Sequence, residues 1–294
     1  MVSAPEELEL VVLPRIFERI KGFKLKRMLQ NIPHFTVGPF VAFDHFGPVT
    51  FGIGQGLDAG PHPHVGMATL TYLFEGSLLH RDSMGNAQTL EPGGANFMLC
   101  GRGVAHSERT PVEARQHEAR LNGAQLWLGL PRAHEEDAPG FEHHSPAALP
   151  VIESNGARLR IIAGTFGGKR SPVGVLLGTL CVDAELAAGA RLVLPAEHQE
   201  RAAYIVSGEI ALGNENFTAE RMLVFRPGKE VTIIARTPSR LLLLGGERLD
   251  GPRYISSTIV ASARERIERA KADWSEGRIP SVVGEAERGA WPPM

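Results

Sequence analysis

Short apolar runs, separated by turns that contain glycine or proline, make up most of this chain of 294 residues. The stretch MATLTYLFEGSLLHRDSMGNAQTLEPGG at 67–94 breaks at Glu75-Gly76, at Met84-Gly85-Asn86 and at Pro92-Gly93-Gly94. Tight turns that join short runs of alternating apolar and polar residues are the sequence signature of β-hairpins. The pattern therefore predicts an all-β protein.

The second half of the chain repeats this arrangement. Tyr204-Ile-Val-Ser-Gly208 matches Tyr72-Leu-Phe-Glu-Gly76, and similar numbers of short apolar runs surround both segments. An internal repeat of this kind predicts two β-barrels in tandem. We expect a first barrel over residues 1–131 and a second over 158–294. The charged, proline-containing segment 132–157 is expected to link the barrels or to form a loop across a barrel mouth.

A helix is predicted near the end of the chain. Ser262, followed three residues later by Glu265, has the spacing of a capping box. Four apolar residues then form one stripe at helical spacing: Ala263, Ile267, Ala270 and Trp274. Gly277 and Pro280 are expected to end the helix. The stripe favours docking of the helix on a barrel over a free helix that binds a partner.

Two pairs of residues carry the candidate chemistry. His62 and His64 are two residues apart, as are His106 and Glu108. Residues i and i+2 of a strand share one face, so two adjacent strands would direct three imidazoles and one carboxylate to a common point. These ligand types suit iron, manganese, copper, nickel or zinc, and four of them leave two positions of a six-coordinate ion open. The alternative is two unrelated pairs on solvated strand ends.

Other histidines are not expected to bind a metal. Counting from the shared tyrosine places Leu194 and Ala196 at the His-x-His positions of the second barrel, with Val231 at the position of His106. His198 and Glu200 are out of register, so the second barrel is expected to serve as scaffold or interaction surface. His80 is expected to lie at the surface or in a turn. The adjacent His143 and His144 would face opposite ways on an extended chain.

The composition excludes several classes of protein. A formal charge of −2 gives no overall attraction to nucleic acid or to anionic membranes. Cys100 and Cys181 are far apart in sequence and form no C-x-x-C pair, which argues against a disulfide framework and for two buried thiols. The N-terminus does not have the pattern of a signal peptide, and no window resembles a membrane span. We expect a cytoplasmic monomer.

The residues around the histidines resemble a known family. G-x5-H-x-H from Gly56 to His64, and G-x-G-x-x-H from Gly101 to His106, resemble the two cupin motifs. Longer stretches resemble the pirins: VGPFVAFDHFGP at 37–48, PHPHVGMATLTYLFEG at 61–76, HRDSMGN at 80–86 and GRGVAHSE at 101–108. The chain differs from the usual pirin pattern at Ala68, where many pirins have glutamate, and at Val65, where arginine is usual.

The resemblance implies two tandem cupin barrels and one divalent transition metal, Fe(II) first and Mn, Cu, Ni or Zn otherwise, bound by His62, His64, His106 and Glu108. It further implies a dioxygenase that opens the ring of a flavonol such as quercetin with O2, in which Glu108 is both ligand and candidate base for the substrate hydroxyl. The alternative is an iron-binding, redox-sensitive regulator that acts through a transcription factor or a metabolic enzyme. In that case a protein partner replaces the small aromatic substrate.

Overall fold

The computed structural model describes residues 5–20, 23–31 and 35–289, and this part of the chain consists of β-strands and one α-helix. In chain order the strands are β1 (Leu8–Val12), β2 (Arg15–Ile20), β3 (Phe23–Arg27), β4 (Phe40–Phe51), β5 (Asp58–His64), β6 (Met67–Glu75), β7 (Leu78–Asp82), β8 (Ala87–Leu90), β9 (Ala95–Leu99), β10 (Val104–Arg109), β11 (Ala119–Gly129), β12 (Gly140–His144), β13 (Val151–Ser154), β14 (Ala157–Phe166), β15 (Lys169–Arg170), β16 (Thr179–Leu186), β17 (Arg191–Leu194), β18 (Glu200–Ser207), β19 (Glu209–Leu212), β20 (Glu215–Thr218), β21 (Met222–Phe225), β22 (Val231–Ala235), β23 (Ser239–Gly246), β24 (Tyr254–Ser256) and β25 (Ile259–Ala261). The helix is α1 (Arg264–Ser275), and short 3-10 helices lie at Leu29–Asn31, Ala114–Gln116 and Arg132–His134. The predicted all-β class and the C-terminal helix are confirmed.

The chain divides into two compact units. The first, which we call the N-terminal barrel, comprises the described residues of 16–25, 41–147 and 249–294. It contains the sheet β12-β9-β6-β11-β4-β3-β2, the sheet β5-β10-β7-β8 and the hairpin β24-β25. Along β7 every second residue is buried, the pattern of a strand with one face on the core.

The second unit, which we call the C-terminal barrel, comprises the described residues of 1–15, 26–40 and 148–248. Its larger sheet has the order β1-β21-β18-β23-β16-β14-β13, with β15 attached to β14, and its smaller sheet has the order β17-β22-β19-β20. Aliphatic and aromatic side chains from both sheets form one buried cluster. This unit therefore has its own hydrophobic core.

This division differs from the predicted boundaries at both ends of the chain. Strand β1 pairs with β21, which places the N-terminal segment in the C-terminal barrel, while α1 belongs to the N-terminal barrel. The segment 132–157 is also more ordered than a linker, because β12 pairs with β9 and β13 pairs with β14. Pairing between strands distant in sequence sets these boundaries, and local composition does not encode it.

Helix α1 docks on the N-terminal barrel through the predicted stripe. Ile267, Ala270 and Trp274 are buried in a cluster that includes Val65 and Ala105. The predicted capping box is wrong. The helix begins at Arg264 without a side-chain cap, and the hydroxyl of Ser262 instead donates to Glu135. Ala263, predicted to be part of the stripe, is exposed. Gly277, at φ 80°, follows the end of the helix as predicted.

The second barrel carries apolar residues where the first carries the candidate ligands. In the C-terminal barrel Leu194 pairs with Val231, just as His62 pairs with His106 in the N-terminal barrel. The register thus agrees with the predicted loss of the ligand positions.

A buried guanidinium joins the corresponding segments of the C-terminal barrel. The side chain of Arg201 is fully buried and donates to the carbonyl oxygens of Leu194 at 3.4 Å, Pro195 at 2.8 Å, Arg226 at 2.9 Å and Lys229 at 2.6 Å. Burial lowers the pKa of Arg201. A side-chain cation therefore connects the strand end at Leu194 with the turn before β22.

In the described part of the chain, no helix is long and apolar enough to span a membrane.

Candidate metal centre

Strands β5 and β10 bring the two predicted residue pairs together. They pair antiparallel, with His62 opposite His106 and His64 opposite Val104. Strand β5 is the edge strand of its sheet, which is where a strand that contains Pro61 and Pro63 is tolerated.

Residues next to the ligand candidates pack on the outer side of these strands. Val65 and Ala105 contact the cluster around α1, so that side of the sheet is covered by apolar side chains. Because neighbouring residues of a strand face opposite ways, His64 and His106 are directed to the barrel interior. Val65, at the position where pirins usually have arginine, thus serves in packing the helix.

Three imidazoles converge in the interior. The ring centroids of His62, His64 and His106 lie 4.5–5.0 Å apart, and one ligand nitrogen from each lies within 4.8 Å of the others. The Nε2 atoms of His62 and His106 are 3.1 Å apart. Two nitrogens that each lie about 2.1 Å from one ion, at a right angle, would be about 3.0 Å apart. The spacing of this pair fits a shared transition-metal ion.

The protonation of the imidazoles also suits a metal. Nδ1 of His62 is 2.8 Å from the carbonyl oxygen of Gly60 and must donate to it, so Nε2 carries the lone pair. Burial, together with His62, His64 and His80, keeps the pKa of His106 well below its ordinary value. Neutral imidazole is the form that ligates metals. His64, also buried, stands edge-on to the indole of Trp127 at 5.5 Å.

Glu108 lies beside this cluster. A register shift between His106 and Glu108 interrupts the pairing of β10 with β5. The carboxylate of Glu108 accepts hydrogen bonds from Gln125 Nε2 at 2.9 Å and from Thr71 Oγ1 at 3.2 Å. The carboxylate lies within 4.8 Å of ring nitrogens of His80 and His106, but not of all three clustered imidazoles.

The surroundings of Glu108 affect both the pKa and the orientation of its carboxyl group. Burial raises the pKa of Glu108 above its ordinary value, although His80 and the hydrogen bonds from Gln125 and Thr71 oppose that effect. The indole nitrogen of Trp127 donates to Gln125 Oε1 at 3.2 Å and so orients the amide toward the carboxylate. A half-buried carboxylate held in this way is suited to accept a proton at higher pH than a solvated one.

The interpretation of His80 as a surface or turn residue is wrong. His80 is buried, stacks on Phe141 with ring centroids 4.4 Å apart, and contacts Asp82 at 3.2 Å. Its Nδ1 lies 3.5 Å from Nδ1 of His106. The sequence did contain a signal for this contact, because His80 and Asp82 have the same i, i+2 spacing as the two ligand pairs.

The remaining candidate residues lie elsewhere. His143 and His144 have separate partners, Asn96 at 2.8 Å and Glu142 at 2.9 Å. Both cysteines are buried free thiols, as predicted, and burial raises the pKa of each above its usual range. An open cleft of about 780 Å³ lies on the C-terminal barrel, beside Arg158 and Arg240, and contains none of the clustered residues.

Comparison with known families identifies the chain. The profile of the family Pirin matches residues 22–128, and that of the Pirin C-terminal cupin domain matches residues 181–280. A pirin-like protein from Caulobacter vibrioides is 44% identical over 88% of this chain and 90% of its own length. The chain belongs to the pirin family. The predicted resemblance and the two cupin barrels are thereby confirmed.

Solved structures and further relatives agree with this assignment. The pirin chain is similar to a crystal structure of quercetin 2,3-dioxygenase from Acinetobacter baumannii, with a TM-score of 0.88 and 30% identity over 97% of this chain and 95% of that one. A Pseudomonas aeruginosa protein with the provisional name quercetin 2,3-dioxygenase is 32% identical over 87% of this chain and 80% of its own. A bacterial pirin from Escherichia coli in complex with nickel(II) shares the fold, with a TM-score of 0.63 and 19% identity over 82% of this chain and all of that one.

Proposed function

We propose that this pirin is a metal-dependent dioxygenase that opens the ring of a flavonol-type substrate with O2. The observation that carries the proposal is the convergence of His62, His64 and His106, with ring centroids 4.5–5.0 Å apart, beside the hydrogen-bonded carboxylate of Glu108. The names of the relatives from Acinetobacter baumannii and Pseudomonas aeruginosa support the substrate class.

The three imidazoles and Glu108 would hold one divalent transition metal, for which we propose Fe(II), with Mn, Cu, Ni or Zn as alternatives that suit the same donors. When bound, such an ion supplies Lewis acidity and a template for O2 and the substrate oxygen. These residues suit a divalent transition metal because His62 presents a lone pair on Nε2 and the imidazole of His106 stays neutral.

The chain itself provides proton transfer and exclusion of water. Glu108 is the candidate acceptor for the proton of the flavonol hydroxyl, because its carboxylate lies beside the three imidazoles. Gln125 and Thr71 fix the orientation of that carboxylate, and a positioned base of this kind contributes roughly 100- to 10,000-fold to rate. The burial of His64 and His106 keeps the inner side of the cluster away from bulk water.

The test combines ion content with oxygen consumption. The protein is loaded anaerobically with Fe(II), and O2 uptake is followed with quercetin as substrate. We expect uptake that depends on both quercetin and the ion. His62→Ala should remove both ion and uptake, whereas Glu108→Gln, which retains the shape of the side chain, should lower uptake by at least about 100-fold.

The matched control is His117→Ala, because His117 is an exposed histidine of the same barrel outside the cluster. It should bind the ion and consume O2 like the unmodified protein. A fully loaded protein that leaves quercetin and O2 unchanged would contradict the proposed activity, and uptake that persists in His62→Ala would contradict the proposed site.

A further inference from the structure

A line of contacts leads from the histidine cluster to a buried carboxylate. His106 directs Nε2 to His62, at 3.1 Å, and Nδ1 to Nδ1 of His80, at 3.5 Å. The opposite nitrogen of His80, Nε2, lies 3.2 Å from Oδ2 of Asp82. Strand pairing fixes this arrangement, since β10 and β7 place His106 opposite Asp82 and Glu108 opposite His80.

Asp82 determines the direction of the hydrogen bonds along this line. Its Oδ1 accepts from the backbone amides of Met84 and Asn86, and its Oδ2 accepts from the side-chain amide of Asn86 at 2.8 Å. Burial by itself raises the pKa of Asp82, but the hydrogen bonds from His80 and Asn86 bring it below its ordinary value. The carboxylate is therefore an acceptor only, and His80 must donate to it through Nε2.

The protons on the remaining nitrogens follow from this one. A neutral His80 with its proton on Nε2 has a lone pair on Nδ1, which can accept from Nδ1–H of His106. His106 then carries its lone pair on Nε2, the atom that faces His62. The contact of 3.5 Å between the two Nδ1 atoms is long for a hydrogen bond and is the weakest contact between His62 and Asp82 along this line.

We propose that His80 and Asp82 are positioning residues that hold His106 with its proton on Nδ1 and its Nε2 lone pair toward the metal position. The stack of His80 on Phe141, with an interplanar angle of 12°, keeps the His80 ring in the orientation that this requires. The inference rests on the metal site of the proposed function. Its readouts are ion affinity and ring protonation, so failure to turn over a flavonol would leave it intact.

Asp82→Asn tests the direction of the hydrogen bonds from His106 through His80 to Asp82. The Asn carbonyl can replace Oδ1 toward the two backbone amides, which leaves an NH2 group toward His80. His80 would then accept at Nε2 and carry its proton on Nδ1, so two N–H groups would meet unless His106 moves its proton to Nε2. We expect the affinity for Fe(II) or Zn(II) to fall roughly 10- to 100-fold, the usual loss when such an outer partner of a ligating histidine is changed.

The same barrel offers a matched control. Asp137 also contacts a histidine, His134, at 2.7 Å between Oδ2 and Nδ1, but this pair lies near the surface, outside the cluster. Asp137→Asn should leave the metal dissociation constant, measured by competition with a chelator, within about 2-fold. Equal losses in the two variants would contradict the proposal, because they would reflect general destabilisation.

A second measurement uses the unmodified protein and does not depend on how a variant folds. In Zn(II)-loaded protein with 15N-labelled histidine, two-bond 1H–15N correlation spectra should show His106 protonated on Nδ1 and His80 protonated on Nε2. Protonation of His80 on Nδ1 would overturn the proposal. So would binding of two ions per chain with one of them at the Nδ1 atoms of His80 and His106, because the hydrogen bond would then be absent.

Discussion

Replacing Arg201 by methionine tests whether the buried guanidinium holds the C-terminal barrel together. The change keeps an unbranched side chain of similar length but removes the donors to four carbonyl oxygens. Each of the four hydrogen bonds that are lost contributes about 1 kcal/mol, and burial of the methionine returns about 1 kcal/mol. We therefore expect the free energy of unfolding to fall by about 3 kcal/mol.

The assay is differential scanning calorimetry, with Arg191→Met as the control. Arg191 is an exposed residue on β17 of the same barrel, and its side chain donates a hydrogen bond to Thr232 at 3.2 Å. For a unit of this size, 3 kcal/mol corresponds to a decrease in Tm of about 6–12 °C, whereas the control should change the free energy by less than about 0.5 kcal/mol. A decrease for Arg201→Met no larger than that of the control would refute the argument.

Two further predictions concern the segment that covers the N-terminal barrel. Trp274→Ala should lower the free energy of unfolding by about 3–5 kcal/mol because the indole is buried in the cluster around α1, whereas Glu268→Ala on the exposed face of the same helix should have little effect in the same urea titration. Glu285 accepts hydrogen bonds from Arg109 and Ser107, and the bond from Arg109 is the main cause of its lowered pKa. A lowered carboxyl pKa stabilises the folded state above the unfolded pKa, and this contribution is lost as the pH falls through the folded pKa. Glu285→Gln should therefore destabilise the protein at pH 7 and have a progressively smaller effect below about pH 4.5, and a loss that is equal at all pH values would contradict this reasoning.

Much of the fold follows from short-range patterns in the sequence. The turn-punctuated apolar runs predicted the all-β class, and the tyrosine-anchored repeat predicted the two barrels. Strand periodicity placed His62 and His64 on a common face, because the side chains of a strand alternate regardless of tertiary context. The position of His106 opposite His62 depends in addition on the pairing of β5 with β10. The prolines beside the histidines fit the position of β5 at the edge of its sheet, because proline cannot donate to a neighbouring strand.

Features that depend on distant segments could not be predicted in this way. Ser262 has the spacing of a capping residue, but Glu135, far away in sequence, takes its hydroxyl. The burial of His80 depends on Phe141 from another strand, and the assignment of β1 to the C-terminal barrel depends on its pairing with β21. The register shift before Glu108 is a property of the paired strands and has no sequence signature of its own, and the hydrogen bond from Gln125 to Glu108 comes from a strand distant in sequence.

The most direct test of the metal centre is a crystal structure of the Fe(II)-loaded protein with anomalous data collected at the iron edge. We expect one anomalous peak in the N-terminal barrel, about 2.1 Å from a ring nitrogen of each of His62, His64 and His106, with Glu108 turned to the same ion. A peak located elsewhere, or three imidazoles with no peak between them after loading, would contradict the central claim.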